Sequence, residues 1–335
     1  NIYPKILFVP PEKRFLNPDM DVELKTKIWI EELDKKIRQR FFEIRFREFA
    51  ERAWTFVPQF IAPNIVGMQH VKEAVALQLF SKEPTHILII GNAGTGKTDI
   101  IRSASELAQI SVFGSGITGL AAMAQGKKIL PGLLPKAHLG ICCIDELNMI
   151  KNEDYIALSD AMEKGFVTNE KAGHHYRFEA LTKVLAAASP KDSLKSNSLQ
   201  ELKGQVPFEP SLLARFHLNF IVRKEQLSEF AAIAEKIVSE DKIKVRLGDI
   251  MFLRRYIKYV SPLDAEIPKE LADKITAFVT KLKQNESELL FEVTPNTVTG
   301  LTRLAKASAR MEQRSLVDAK DLERVFLIVN KAYVL

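Results

Sequence analysis

The stretch GNAGTGKTDI, residues 91–100, decides how the rest of the chain is interpreted. Gly91, Gly96, Lys97 and Thr98 fit the spacing G-x-x-x-x-G-K-[ST]. Glycines let backbone N–H groups approach phosphate, and a helix that begins directly afterwards adds the positive end of its dipole. We therefore predict that this loop binds the phosphates of ATP. The predicted contacts are Gly91, Asn92, Ala93, Gly94, Thr95, Gly96, Lys97 and Thr98.

Short apolar runs surround this loop and alternate with helical patterns. Apolar runs of this length are typical of parallel strands that are buried on both faces. The five predicted strands are THILIIG (85–91), QISVFG (109–114), LGICCIDE (139–146), TKVLAAAS (182–189) and HLNFIV (217–222). The sequence therefore predicts an α/β domain with a P-loop and a three-layer parallel-sheet arrangement.

The strand signal stops after residue 222. The segments that follow have helical periodicity and lie at 224–238, 249–260, 268–284, 295–313 and 317–335. We expect three regions: an N-terminal extension at 1–58, the nucleotide-binding α/β domain at 59–222, and a smaller all-helical lid domain at 223–335.

A long amphipathic helix is predicted before the α/β domain, from Asp21 to Trp54. Its charges alternate in sign, which favours a solvated face over a stripe that binds nucleic acid. The residues expected near one apolar face are Leu24, Ile28, Leu33, Ile37, Phe41, Ile44 and Phe49. A further helix is expected to begin near Gln69.

A pair of acids ends the strand ICCIDE, 48 residues after Lys97. Hydrolysis of a phosphoanhydride needs a held magnesium ion and a positioned water. Asp145 is expected to hold Mg²⁺ through water together with the Thr98 hydroxyl, and Glu146 to orient and deprotonate the attacking water. The alternative, two carboxylates that cap a helix, is less favoured because the phosphate loop lies upstream.

Composition narrows the class of protein. No apolar run approaches about 18 residues, so we expect no membrane partner. Cys142 and Cys143 are adjacent within an apolar run, which indicates a reducing interior, cytoplasmic or nuclear, without a disulfide framework. The net charge of +6 permits a polyanionic partner but does not establish one.

Several stretches together resemble the AAA+ motor of the minichromosome maintenance (MCM) DNA helicases. The similarity covers roughly three quarters of the chain. The matching stretches are IAPNIVGMQHVKEAVALQLF, the phosphate loop, GICCIDELNMIKNEDYIALSDAMEKG, EKAG, VLAAASP, PSLLARFHLNF and FLRRYIKY. The resemblance implies a ring of this chain or related subunits, a hexamer, with ATP and Mg²⁺ at the subunit interfaces and DNA in the central pore.

The resemblance also assigns roles to individual residues. Arg215 matches the arginine finger, which would reach the γ-phosphate held by the neighbouring subunit. Lys171 matches the basic tip of a hairpin that faces DNA. The segment Ile65, Val66 and Gly67 matches the stretch that lies along adenine.

Three features depart from the family pattern. Ser189 stands where an asparagine normally helps to position the attacking water. Asn296 stands where the lid normally supplies an arginine, and we expect these two residues on opposite sides of the γ-phosphate. The segment GITGLAAMAQGKKILPGLL is shorter than the family's insert in helix 2. Loss of one charge-stabilising donor typically lowers a rate about 10²–10³-fold, so weak hydrolysis is expected.

Three functions stay open at this point. The first is a DNA-associated ATPase or helicase motor of DNA replication with weakened hydrolysis. The second is an inactive ATP-binding regulatory or structural subunit of a helicase ring. The third, a chelatase or protein remodeller, is disfavoured by CCIDE and KAG. Residues 1–58 do not resemble the family's oligonucleotide-binding tier and no winged-helix segment follows Leu335, so the sequence is either a fragment or a reduced relative.

Overall fold

Two compact units, Asn1–Phe49 and Ala50–Leu335, make up the chain in a computed structural model. The structure describes residues 22–115, 119–125, 128–171, 174–194, 198–223 and 245–333. The long predicted helix is present as α1, Val22–Ala50, but it does not reach Trp54. Arg52 adopts φ −116° and ψ 0°, outside the helical region, so the chain turns there before the short helix α2, Ala53–Phe56.

The apolar face predicted for α1 does not match the burial of its side chains. Ile37, Phe41 and Ile44 are each more than half exposed, whereas Phe46 is buried. Periodicity identifies the most apolar side of a helix, but burial depends on which side meets another element.

The described residues of the second unit contain nine strands. They are β1 (Ile87–Gly91), β2 (Ser111–Ser115), β3 (Ala122–Gln125), β4 (Lys128–Pro131), β5 (Ile141–Asp145), β6 (Phe166–Lys171), β7 (His174–Glu179), β8 (Lys183–Ala188) and β9 (Leu218–Val222). Five of them form one parallel sheet in the order β2-β5-β8-β1-β9. These five are the strands predicted from the sequence, with ends that differ by about two residues at most.

The sheet core explains the apolar runs. All five residues of β1 are buried, and Cys142 and Cys143 on β5 are buried free thiols. Burial raises the pKa of Cys142 to about 12 and raises that of Cys143 further, so both stay protonated and inert.

Two antiparallel hairpins lie outside the main sheet. Strands β3 and β4 pair within the segment that the sequence indicated to be a shortened insert, where no strand was predicted. Strands β6 and β7 pair up to Lys171 opposite His174, at the position of the predicted hairpin tip.

Helices fill the intervals and form the lid. They are α3 (Gln69–Phe80), α4 (Lys97–Leu107), α5 (Leu133–Lys136), α6 (Asn152–Lys164), α7 (Leu199–Gln205), α8 (Pro210–Leu213), α9 (Leu247–Val260), α10 (Lys269–Gln284), α11 (Pro295–Met311) and α12 (Ala319–Tyr333). The predicted P-loop α/β fold with a helical lid is confirmed. The helix predicted at 224–238 lies outside the described residues. Within the described part of the chain, no helix is long and apolar enough to cross a membrane.

Candidate nucleotide site

The phosphate loop lies between β1, which ends at Gly91, and α4, which begins at Lys97. Gly94 and Gly96 have φ angles of +80° and +81°, a region that residues with a Cβ rarely adopt. The loop therefore turns tightly into α4, whose first N–H groups have no partner within the helix. This is the strand–loop–helix arrangement that anion binding requires.

Lys97 is held within the loop. Its ammonium donates to the carbonyl oxygens of Gly91 at 2.6 Å and Asn92 at 2.8 Å. Burial lowers the pKa of Lys97, and the nearby charge of Asp145 partly opposes that shift. Carbonyl oxygens do not neutralise an ammonium, so its charge can still stabilise a phosphate.

The remaining loop residues shape this turn. The Asn92 side-chain carbonyl accepts from the Leu194 N–H at 3.0 Å, and the Thr95 hydroxyl donates to the Asn92 carbonyl at 2.9 Å. Ala93 lies exposed at the turn. The bond from Leu194 fixes the loop against the segment that follows β8, and the bond from Thr95 closes the turn within the loop.

Thr98 and Asp145 meet beside the loop. The Thr98 hydroxyl donates to Asp145 Oδ2 at 2.7 Å. A hydroxyl oxygen next to a carboxylate is the hard oxygen donor set that Mg²⁺ prefers. The predicted metal ligands are therefore adjacent, and together they fit a magnesium ion bound alongside phosphate.

Glu146 continues from β5 at the same edge of the sheet. It adopts a left-handed φ of +51°, and its N–H donates to Asp145 Oδ1 at 3.0 Å. Its carboxylate is exposed and accepts a long 3.5 Å hydrogen bond from the Ser115 hydroxyl at the end of β2. The two acids share the edge, but Asp145 faces Thr98 while Glu146 faces Ser115.

Ser189 follows β8 at this edge, where the sequence indicated a water-positioning residue. Its backbone N–H donates to the side-chain oxygen of Asn148 at 2.9 Å. Sequence reasoning missed Asn148, because nothing in its spacing from Glu146 marks it. The only signal that could have identified it is the amide side chain itself, two positions after Glu146.

The predicted adenine segment contacts the loop through Ile65. A Cβ built on Gly96 would lie 2.9 Å from Ile65 Cδ1, so the isoleucine side chain covers this glycine. Val66 is half-buried and Gly67 is exposed next to it. The structure brings the 65–67 segment and the phosphate loop together.

Arg215 lies at the other edge of the sheet. It precedes β9, and the neighbouring His217 N–H donates to the His86 carbonyl just before β1. Its guanidinium pairs with Glu163 Oε2 at 2.8 Å and donates to the Ser211 carbonyl at 3.2 Å. A five-residue strand is about 16 Å long, so Arg215 is separated from the phosphate loop of its own chain by roughly that distance.

Asn296 of the lid lies beside Arg215 within the chain. Its side-chain amide donates to the Ala214 carbonyl at 2.8 Å. Within one chain Ser189 and Asn296 occupy opposite edges of the sheet, so they could flank one γ-phosphate only if they came from two copies. Parallel strands separate the residues that precede them from those that follow, and Ala214 precedes β9 while Ser189 follows β8.

A buried histidine pair lies at the same edge as Arg215. The rings of His86 and His217 have centroids 5.0 Å apart, and the His86 N–H donates to His217 Nδ1 at 2.9 Å. Arg303 contacts His217 Nε2 at 3.1 Å and also bonds the Pro84 carbonyl. Arg303 is therefore held away from the nucleotide of its own chain, and it does not replace the arginine that the family carries at the position of Asn296.

The fold and this loop define a P-loop nucleotide-binding protein with a helical lid. Family models agree with that class: the MCM P-loop domain matches residues 43–241 and the MCM AAA-lid domain matches residues 251–333. The chain belongs to the MCM family, which confirms the resemblance.

Individual relatives cover most of this chain. It is 31% identical over 329 residues to the minichromosome maintenance protein MCM of Saccharolobus solfataricus, covering 89% of this chain and 47% of that protein. It is 27% identical over 305 residues to the zygotic DNA replication licensing factor mcm6-A of Xenopus laevis, covering 81% and 37%. It is 26% identical over 341 residues to the probable DNA helicase MCM9 of Arabidopsis thaliana, covering 92% and 52%. The chain thus spans about half the length of these relatives or less.

Proposed function

We propose that this chain is an ATP-binding AAA+ motor module that acts on DNA within a ring of MCM-type subunits and hydrolyses ATP slowly. Lys97 and the loop N–H groups bind the phosphates. Thr98 and Asp145 hold Mg²⁺, which when bound neutralises phosphate charge. Glu146 positions and deprotonates the attacking water.

The separation of Arg215 from its own phosphate loop carries the proposal of a ring. Lys97 follows β1 and Arg215 precedes β9, so they lie at opposite edges of one parallel sheet and a single copy cannot bring both to one nucleotide. A head-to-tail arrangement of copies brings the Arg215 edge of one to the loop edge of the next, and it forms a ring when the rotation between copies closes. Because Asn296 lies beside Arg215, it would also face the nucleotide of the neighbouring copy.

The proposed DNA contact lies at Lys171, where β6 and β7 pair near their turn. A lysine at a hairpin tip contacts backbone phosphate as a point charge, without reading sequence. The proposed localisation is that of a replication factor, nuclear or cytoplasmic.

Mixing two inactive variants tests the proposal. Lys97→Ala removes the phosphate-binding ammonium and Arg215→Ala removes the finger, so each alone should release phosphate no faster than Glu146→Gln. In a random mixture about a quarter of the head-to-tail interfaces combine an intact loop with an intact finger. We expect the mixture to recover about that share of wild-type phosphate release, and no recovery despite shown assembly would overturn the shared site.

A second candidate is a subunit that binds ATP without hydrolysing it. Two observations favour it: the Asn296 amide is bonded to the Ala214 carbonyl and carries no charge, and Ser189 offers only a short hydroxyl where an amide normally acts. Restoring the family residues separates the candidates. Under the first, Ser189→Asn with Asn296→Arg should raise turnover at least about tenfold, roughly 1.4 kcal/mol of barrier, and only in assembled protein. A double variant that stays at the Glu146→Gln level in a crosslinked ring would favour the second.

A further inference from the structure

The segment before α3 has an irregular backbone that its own sequence does not stabilise. Ala62, Gly67 and Met68 have φ angles of +44°, +84° and +50°, and two of these three residues carry a Cβ. Such conformations persist only where surrounding contacts impose them. Ile65, within this segment, covers Gly96 of the phosphate loop.

Lys72 supplies those contacts from the first turns of α3. Its ammonium donates to the Ala62 carbonyl at 2.9 Å and to the Ile65 carbonyl at 2.5 Å. The residue is only 7% exposed, and no described carboxylate lies within ion-pair distance of it. Burial lowers the pKa of Lys72 to about 8, so at pH 7 it keeps the charge that makes these bonds strong.

Ser103 ties the same segment to the phosphate-loop helix. The Ala62 N–H donates to the Ser103 hydroxyl at 3.0 Å, and Ser103 lies on α4, which begins at Lys97. The segment is thus bonded to two helices, one of which carries the phosphate loop at its start.

The part of the segment next to Ile65 has free hydrogen-bonding groups. Across the described residues, none bonds to the backbone N–H or C=O of Val66 or Gly67. Unpaired backbone donors and acceptors beside a phosphate loop can bond the edge of a base. The Ile65 carbonyl, in contrast, already accepts a hydrogen bond from Lys72.

We propose that Lys72 is the positioning residue for base recognition: by fixing the carbonyls of Ala62 and Ile65 it holds Val66 and Gly67 where they bond the base of a nucleotide. This inference rests on the proposed nucleotide site. If it is right, Lys72 contributes to the binding of the base of ATP but not to the binding of its phosphates.

Calorimetry with two ligands tests the role of Lys72. Magnesium ATP and magnesium tripolyphosphate are titrated into wild type, Lys72→Met and Lys72→Arg. Lys72→Met should weaken ATP about tenfold and change tripolyphosphate less than about twofold. Lys72→Arg, which keeps the charge and several donors, should recover much of the loss.

Lys183→Met is the matched control. Lys183 also donates to a main-chain carbonyl, that of Leu79 at 3.2 Å, and burial lowers its pKa to about 7, but it begins β8 at the sheet edge opposite the loop. It should change the affinity for neither ligand.

The results distinguish a failure of this inference from a failure of the proposed function. Equal weakening of both ligands by Lys72→Met, or no weakening of either, overturns the inference. Absence of ATP binding by wild type overturns the proposed function itself. If circular dichroism shows that Lys72→Met does not fold, Ser103→Ala decides: a selective loss of ATP affinity of about threefold supports the inference, and an unchanged ratio of the two affinities overturns it.

Discussion

The contact between Ile65 and the phosphate loop can be tested by adding one methyl group at two positions. Gly94 and Gly96 share the same left-handed φ, +80° and +81°, so Gly94→Ala and Gly96→Ala incur the same backbone cost of about 1–2 kcal/mol. Their surroundings differ. A Cβ on Gly94 meets nothing within 4 Å, whereas one on Gly96 lies 2.9 Å from Ile65 Cδ1.

The expected losses of unfolding free energy therefore differ. Gly94→Ala should cost about 1–2 kcal/mol in the absence of nucleotide, from backbone strain alone. Gly96→Ala should cost about 1–3 kcal/mol more, because Ile65 must shift to make room. Each kcal/mol corresponds to about 2 °C in the melting temperature of a unit of this size.

Urea denaturation of both variants, with Ile65→Ala as a third change, measures the contact. In a double-mutant cycle, Ile65→Ala should relieve about 1–2 kcal/mol of the Gly96→Ala loss and none of the Gly94→Ala loss. Equal losses at the two glycines, with no coupling to Ile65, would show that Ile65 does not cover the loop.

Two further predictions concern protonation and DNA. Burial, and then the charge of Arg303, lower the pKa of His217 to about 3, whereas this histidine titrates near pH 6.5 in the unfolded chain. Below that pH the unfolded chain therefore binds a proton that the folded chain does not, and the unfolding free energy should fall by about 2 kcal/mol from pH 7 to pH 5 because of this residue. In urea denaturation, His217→Asn should show a weaker pH dependence than wild type. An identical pH dependence in variant and wild type would refute this. Lys171→Ala should weaken DNA binding equally across sequences and lower the salt slope by about one, measured by fluorescence anisotropy over a salt series; equal slopes would leave Lys171 without a phosphate contact.

The sequence carried enough information to predict the sheet and the loop. Four of the five parallel strands, β1, β5, β8 and β9, are apolar runs that are almost entirely buried, and that pattern is local. The remaining strand, β2, is only partly buried. The glycines and Lys97 of the loop are likewise fixed by local geometry. The acids that end β5 were found because a strand end and its polar residues are adjacent in sequence.

Contacts that join distant parts of the chain were not predictable from these patterns. Asn148 meets Ser189 across 41 residues, and Asn296 meets Ala214 across 82 residues. The position of Asn296 beside Arg215 was therefore not predicted. The β3–β4 hairpin was missed because its strands are four residues each and have no clear alternation. The turn at Arg52 was missed because the helical pattern continues through it.

The central claim is that residues 91–98, with Asp145, bind Mg²⁺ and ATP. Calorimetric titration of the wild-type chain with a non-hydrolysable ATP analogue and Mg²⁺ tests it most directly, with Lys97→Ala as the matched variant. Because the Lys97 ammonium is already held at the loop by the Gly91 and Asn92 carbonyls, wild type should bind and Lys97→Ala should not. Wild-type protein that shows neither binding heat nor thermal stabilisation at millimolar nucleotide would contradict the account.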